Sequence, residues 1–151
     1  MEIALLIIAI PLTNEEKLKK KVTTFQNLLG ELGERKLPED VIMSINEHIM
    51  YLNGITTKGE LSKELRKRQS KILALLLKKL KLVPKGYYRN MWMAVGMSAF
   101  GVSFGVAFGV ALDNMAFLGI GIPIGMGIGI AIGTAMDAKA EKEGKQLEFA
   151  V

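Results

Sequence analysis

The sequence has no cysteine, which excludes disulfides, thiolate catalysis and cysteine metal sites. It has one histidine, His48, flanked by Asn46 and Glu47 on what reads as an ordinary solvated helix face. A ligand or general base there would need partners, so His48 is read as structural. The paired acids Glu39 and Asp40 read as first-turn helix charges and not as a catalytic dyad. No phosphate-binding loop is present, because the glycine-rich stretch lacks the lysine and hydroxyl residue such a site requires. These absences leave no catalytic residue, no cofactor and no metal to assign, and the chain is expected not to be an enzyme.

The scarcest feature is charge in the last third. Met91 to Met136 holds one ionisable residue, Asp113. A soluble core helix runs to about 20 residues, and apolar runs above about 18 indicate membrane spans. The stretch "GIGIPIGMGIGIAIG", Gly119 to Gly133, alternates small and large residues as a strand would. A barrel strand, however, needs a polar face on alternate positions, and here that face is glycine and alanine. An open strand in lipid would leave backbone groups unpaired at several kcal/mol each.

Sorting by fours resolves the alternation. In "MSAFGVSFGVAFGVAL", Gly101, Gly105 and Gly109 form one row, and Ala99, Ser103, Ala107 and Ala111 another. Phe100, Phe104 and Phe108, then Val102, Val106 and Val110, fill the rows between. The second segment repeats the order. Gly121, Gly125, Gly129 and Gly133 make one row, and Gly119, Gly127, Ala131 and Ala135 the opposite one, interrupted by Pro123. Residues four apart share a side of a helix, and residues two apart lie nearly opposite. The sequence therefore predicts two helices, 91–112 and 115–136, each about 33 Å long at ~1.5 Å per residue and matched to a hydrocarbon core of ~30 Å. Asp113 and Asn114 form the turn of an antiparallel hairpin, and Pro123 is expected to kink the second helix. Ser98, Ser103 and Thr134 are expected to bond backbone carbonyls or neighbouring helices.

Each helix has two small faces back to back. One row closes the hairpin; a second, left free, suits a contact that closes into a ring or extends into an array, the alternatives being that the glycines only pack this hairpin or bind another membrane protein. These in-register rows resemble the glycine-zipper membrane proteins, a loose bacterial group. The resemblance covers about 46 residues of the 151 and specifies packing, not chemistry. It implies helix-packing and oligomerisation roles for Gly101, Gly105, Gly109, Gly121, Gly125, Gly129 and Gly133. The interleaved glycines also look like the first helix of rotary-ATPase ring subunits, but neither span carries the mid-membrane carboxylate those rings need.

Residues 1–90 carry 17 lysines and arginines against 10 carboxylates. Basic residues stay on the cytoplasmic side, so both termini are expected there, in a bacterial inner membrane. Tyr87, Tyr88 and Trp92, beside Arg89, stand where an interfacial aromatic belt begins.

Residues 13–90 read as a basic helical cytoplasmic domain, with no strand signal. Thr13 with Glu16 and Thr57 with Glu60 read as capping boxes. Val22, Phe25, Leu29 and Leu32 keep helical spacing until Gly30 and Gly33 weaken the first helix. Pro38 opens a second, with Val41, Ile42, Ile45, Ile49 and Leu52 on one side and Gly54 past its end. The third runs to about Val83, where Pro84 and Gly86 stop it. It sets Leu65, Ile72, Leu76 and Leu80 against Arg66, Lys67, Arg68, Lys71, Lys78, Lys79 and Lys81. Two readings fit this helix, and they can coexist. It lies on an anionic leaflet, or it packs its leucines on the first two helices with its lysines solvated. Nucleic-acid binding is disfavoured, since stacking aromatics are missing from it.

Residues 1–12 form a short apolar segment, about half a membrane span. Glu2 and the absence of a small-x-small pattern in "AIPLTN" argue against a removable signal, and an interfacial or packed segment is expected. Residues 137–151 read as a polar tail. The expectation is an all-α integral membrane protein: a helical hairpin, preceded by a small helical domain, that self-associates as a homo-oligomer. Its role would be that of a membrane scaffold whose basic helix touches the lipid bilayer or a protein partner. The alternative is an oligomeric channel or membrane-permeabilising protein, although its lumen, lined by phenylalanine, valine or isoleucine, would dewet.

Overall fold

The computed structural model describes residues 2–12 and 15–150, with the side chain of Ala150 excepted. Among the described residues, the protein is all-helical apart from two short strands. In chain order come α1 (Glu16–Gly33), α2 (Glu39–Asn53), α3 (Lys58–Leu80), β1 (Val83–Lys85), α4 (Tyr87–Ala111), α5 (Met115–Lys142) and β2 (Gln146–Ala150). The strands pair as a two-stranded sheet, a feature absent from the sequence reading. The described residues divide into two compact units, one within 2–82 and including 147–149, the other 83–146 with 150.

The first unit is a small helical domain. Its core contains the apolar sets of all three helices, including Phe25, Leu28, Leu32, Ile45, Ile49, Leu52, Leu65, Ile72 and Leu76, each no more than 1% exposed. α1 continues through Gly30 to Gly33, because both glycines lie on its exposed side and remove nothing from the buried stripe. Thr13, the cap expected before it, lies outside the described residues. Pro38 stands at the N-cap position of α2, its carbonyl accepting from the Val41 and Ile42 amides at 3.1 Å each.

At the start of α3 the Thr57 hydroxyl donates to the Glu60 carboxylate at 3.4 Å, so these two side chains pair with each other and not with backbone as a capping box would. α3 ends at Leu80, three residues before the expected stop. Lys81 takes a left-handed conformation, φ 58°, and the Leu82 amide donates back to the Leu76 carbonyl at 3.3 Å. That is the helix-terminating turn usually given to glycine, here adopted by lysine.

Leu147 and Phe149 belong to the same core. The segment holding them is fixed by one carboxylate: Glu31 accepts from the Glu148 amide at 2.9 Å and from the Phe149 amide at 3.2 Å. The expected polar tail is therefore helix as far as Lys142 and strand from Gln146.

The second unit contains α4 and α5, both long and apolar enough to cross a membrane. Each is longer than the sequence suggested, α4 beginning at Tyr87 and α5 running to Lys142. Asp113, φ 51°, makes the turn between them, and the Asn114 side chain accepts from the Ala116 amide at 3.0 Å. α5 stays helical through Pro123. Departures from α geometry lie at the first turn of α5, where Met115–Phe117 is a 3₁₀ helix, and in α4, where Gly96–Gly101 forms a π-helical turn.

Candidate membrane-embedded helix pair

α4 and α5 touch backbone to backbone along one glycine row from each. A Cβ placed on Gly105 would lie 2.8 Å from the Leu118 Cα, on Gly101 2.9 Å from the Ile122 Cα, and on Gly125 2.6 Å from the Gly101 Cα. On Gly121 it would lie 2.6 Å from the Gly105 Cα, and on Gly133 2.5 Å from the Arg89 Cα. On Gly129 it would run into the Trp92 carbonyl. Gly109 is the loosest, facing the Met115 sulfur at 3.1 Å. All seven glycines singled out in the sequence thus lie in one contact inside a single chain. None of them faces outward to meet a second copy.

Gly96 belongs to the same row, though it breaks the spacing of four. Counting back from Gly109, Gly105 and Gly101, the next position would be Met97, whose side chain has no room between the helices. The π turn admits one extra residue and brings Gly96 into line, with its imagined Cβ 2.9 Å from the Gly129 Cα. Such a turn disrupts the ladder of carbonyls before it. The Ser98 hydroxyl lies 3.0 Å from the Ala94 carbonyl and 3.2 Å from that of Val95, placed to donate to them, and Ser103 donates to Ala99 at 2.6 Å.

The opposite small row remains open. Ala99, Ser103, Ala107 and Ala111 on α4, and Gly119, Pro123, Gly127, Ala131 and Ala135 on α5, are all exposed. A Cβ on Gly119 or Gly127 would meet nothing within 4 Å. Around these rows the large side chains point outward too, among them Phe100, Phe104, Phe108, Val102, Val106, Ile120 and Ile124. Phe100 and Phe104 stack at 6.4 Å.

Asp137 continues the glycine row 121, 125, 129, 133 by one more step of four. It is 8% exposed, and its two oxygens accept from the Tyr88 and Arg89 amides, each at 3.0 Å. These are the amides an N-cap side chain normally satisfies. The N-cap here is Gly86, φ 75°, which has no side chain to offer. The end of α5 therefore caps the beginning of α4 with an acidic side chain, the kind that a helix N-terminus favours.

Of the two readings of α3, the packed one matches its leucines, and its basic residues divide into paired and exposed ones. Leu61, Leu65, Ile72 and Leu76 of α3 are buried in the domain core, so its apolar face is packed and not free to enter a leaflet. Arg68 is half-buried. Its Nε donates to Glu64 at 3.1 Å, its Nη1 lies 3.2 Å from His48 Nδ1, and its guanidinium sits 3.8 Å from the centre of the Tyr51 ring. Lys67 pairs with Glu64 at 3.1 Å, and Lys79 pairs with Asp40. Hydrogen bonds from Lys67 and then Arg68 hold the Glu64 carboxyl below its ordinary range, and Lys79 does the same to Asp40. Burial, then the charges of Arg68 and Lys71, push His48 below its usual value. Arg66, Lys71, Lys78 and Lys81 are exposed, as is Arg89. Trp92 is half-buried with its indole N–H enclosed and without a hydrogen-bond partner, so it does not present that group to an interface.

Among the described residues, no group of three His, Asp or Glu side chains is placed to hold a metal. Comparison with known proteins finds no matching family model, no matching curated protein and no matching solved structure.

Proposed function

We propose that this chain is a self-assembling membrane scaffold of glycine-zipper type: a transmembrane hairpin, α4 and α5, carrying a basic helical domain. The observation that supports it is the division of the small residues. One row on each helix is used up inside the chain, while the opposite row is open, apolar and flanked by large side chains. Lipid supplies no hydrophobic drive between helices, and small rows promote association by allowing close backbone packing. An open row on each of two helices gives a chain two such faces, which suits a ring or array of copies.

Both termini lie on the cytoplasmic side of a bacterial inner membrane in this reading, following the positive-inside rule. The domain then meets lipid or an acidic partner through charge alone, Arg66, Lys71, Lys78 and Lys81 each adding about 1 kcal/mol near an anionic leaflet. A pore is the weaker reading, because the outward side chains of both helices are hydrophobic and a lumen built from them would dewet.

The test is the native mass of the detergent-purified protein. Wild type is expected as one multi-copy species. Gly127→Leu, at a position where a Cβ would meet nothing within 4 Å, is expected to remain folded and become monomeric. Gly125→Leu, by contrast, is expected to disrupt the helix pair itself. A monomeric wild type, or a Gly127→Leu protein with unchanged mass, would overturn the proposal.

A further inference from the structure

Residues 2–12 lie extended against the helical domain, held by two side-chain amides on α2. Asn46 Oδ1 accepts from the Ala4 amide at 2.8 Å, while its Nδ2 donates to the Glu2 carbonyl at 3.0 Å. Two turns further along, Asn53 Oδ1 accepts from the Ile7 amide at 2.9 Å and its Nδ2 donates to the Leu5 carbonyl at 3.1 Å. Each carboxamide uses its oxygen as acceptor and one N–H of its amino group as donor, and so stands in for a peptide unit of a neighbouring strand. Between the two the segment changes sides: even-numbered residues bond Asn46 and odd-numbered ones Asn53. The inward side chains follow suit. Ile3 and Leu6 are three apart, and Leu6, Ile8, Ile10 and Leu12 then alternate, all packed on the core. Leu5 and Ile7 face outward, 79% and 65% exposed.

These features are those of a groove that recognises an extended aliphatic peptide. The backbone is read by asparagines spaced seven residues apart, and the pattern of side chains is read by core sockets. A cavity of about 490 Å³ lies alongside Ile3 to Leu6, bounded by the end of α1 at Gly30 and Gly33, where a Cβ would meet nothing within 4 Å.

We infer that this groove takes the N-terminal segment of a second copy, so that neighbouring chains exchange residues 2–12. The sequence that fits the groove is the one seen within it, and each contact forms equally well within one chain or between two. This is the condition under which exchange of an identical element is a low-cost route to association. It does not depend on the small rows of α4 and α5, although chains gathered in a membrane would raise the effective concentration of the incoming segment.

Two full-length variants test the exchange, both carrying Gly127→Leu to silence the small-row contact. The first, affinity-tagged, has Leu6→Asp, which ejects its own segment and leaves its groove intact. The second has Asn46→Ala and Asn53→Ala, which damage its groove and leave its segment intact. Co-purification of the second by the first is expected at least tenfold above a control in which the second also carries Leu6→Asp. Leu6→Ala replaces Leu6→Asp if circular dichroism finds that variant unfolded. Equal recovery with the control, or no recovery, overturns the inference. So does binding of a synthetic 2–12 peptide to the first variant without recovery of the second, since the groove would then accept the free segment but not the segment carried by another chain.

Discussion

Asp137 offers the sharpest test of how the two long helices are joined. Asp137→Ala removes both hydrogen bonds to the start of α4 and leaves the Tyr88 and Arg89 amides without the acceptor that Gly86 cannot provide. Loss of an N-cap costs about 0.5–2 kcal/mol, and hydrogen bonds to a charged group are worth about 1.5–3 kcal/mol each. Since the two amides share one carboxylate, their contributions overlap, and about 3 kcal/mol is the expected total. Asp137→Asn keeps one acceptor oxygen but turns its amino group towards the other amide, so about half of that is lost. Hydrogen exchange reads this locally, about 1.4 kcal/mol corresponding to a factor of ten. The Tyr88 and Arg89 amides should exchange about a hundredfold faster in Asp137→Ala and about tenfold faster in Asp137→Asn. The amides around Gly105 should not change. Unaltered protection at Tyr88 and Arg89 in Asp137→Ala would refute the argument that α5 caps α4.

Alanine should have opposite effects at two glycines. At Gly30, inside α1 and open to solvent, it is expected to stabilise by about 0.5–1 kcal/mol; at Gly105, where its Cβ would lie 2.8 Å from the Leu118 Cα, it is expected to lower the thermal midpoint despite the gain in helix propensity. Ser98→Ala leaves the Ala94 and Val95 carbonyls without their hydroxyl donor and should cost about 1 kcal/mol, read as a lower midpoint in detergent. His48 gives the only imidazole signal in a nuclear magnetic resonance titration, and its midpoint should fall below 6.5. The folded chain then refuses a proton that the unfolded chain accepts, so stability declines as pH drops through about 6.5. Arg68→Met should raise the midpoint only part of the way, burial being the larger cause, and a wild-type midpoint at or above 6.5 would contradict the Arg68 contact.

The helix pair was legible because its information is local. Rows spaced by four mark faces of a helix wherever the helix sits, and the step from Gly133 to Asp137 was readable by the same rule. Gly96 was hidden because it is five residues from Gly101, a gap that reads as the end of the row and not as a π turn. The amides of Asn46 and Asn53 were hidden for another reason. On α2 they look like solvent-facing polar residues, and the backbone they hold lies more than 40 positions away, in a segment whose own composition suggests only an apolar run. β1 and β2 escaped notice because each is too short to carry a period. The leucines of α3 read equally well as a lipid face or a core face, since amphipathicity records that a surface is buried and not by what.

The π turn in α4 has a geometric consequence. Each residue advances an α-helix by about 100°, and the wider π turn absorbs the extra residue between Gly96 and Gly101 without passing that rotation on to the residues before it. Deleting Met97 would leave Gly96 four residues from Gly101, so a uniform α-helix would keep Trp92, Arg89 and Tyr88 on their present side. The intact sequence wound as a uniform α-helix would instead swing them by about 100°: the glycines from Gly101 onward would stay in contact, while the amides that Asp137 holds would point elsewhere. The π turn thus works as an angular offset, allowing one helix to satisfy a packing register at one end and a carboxylate clasp at the other.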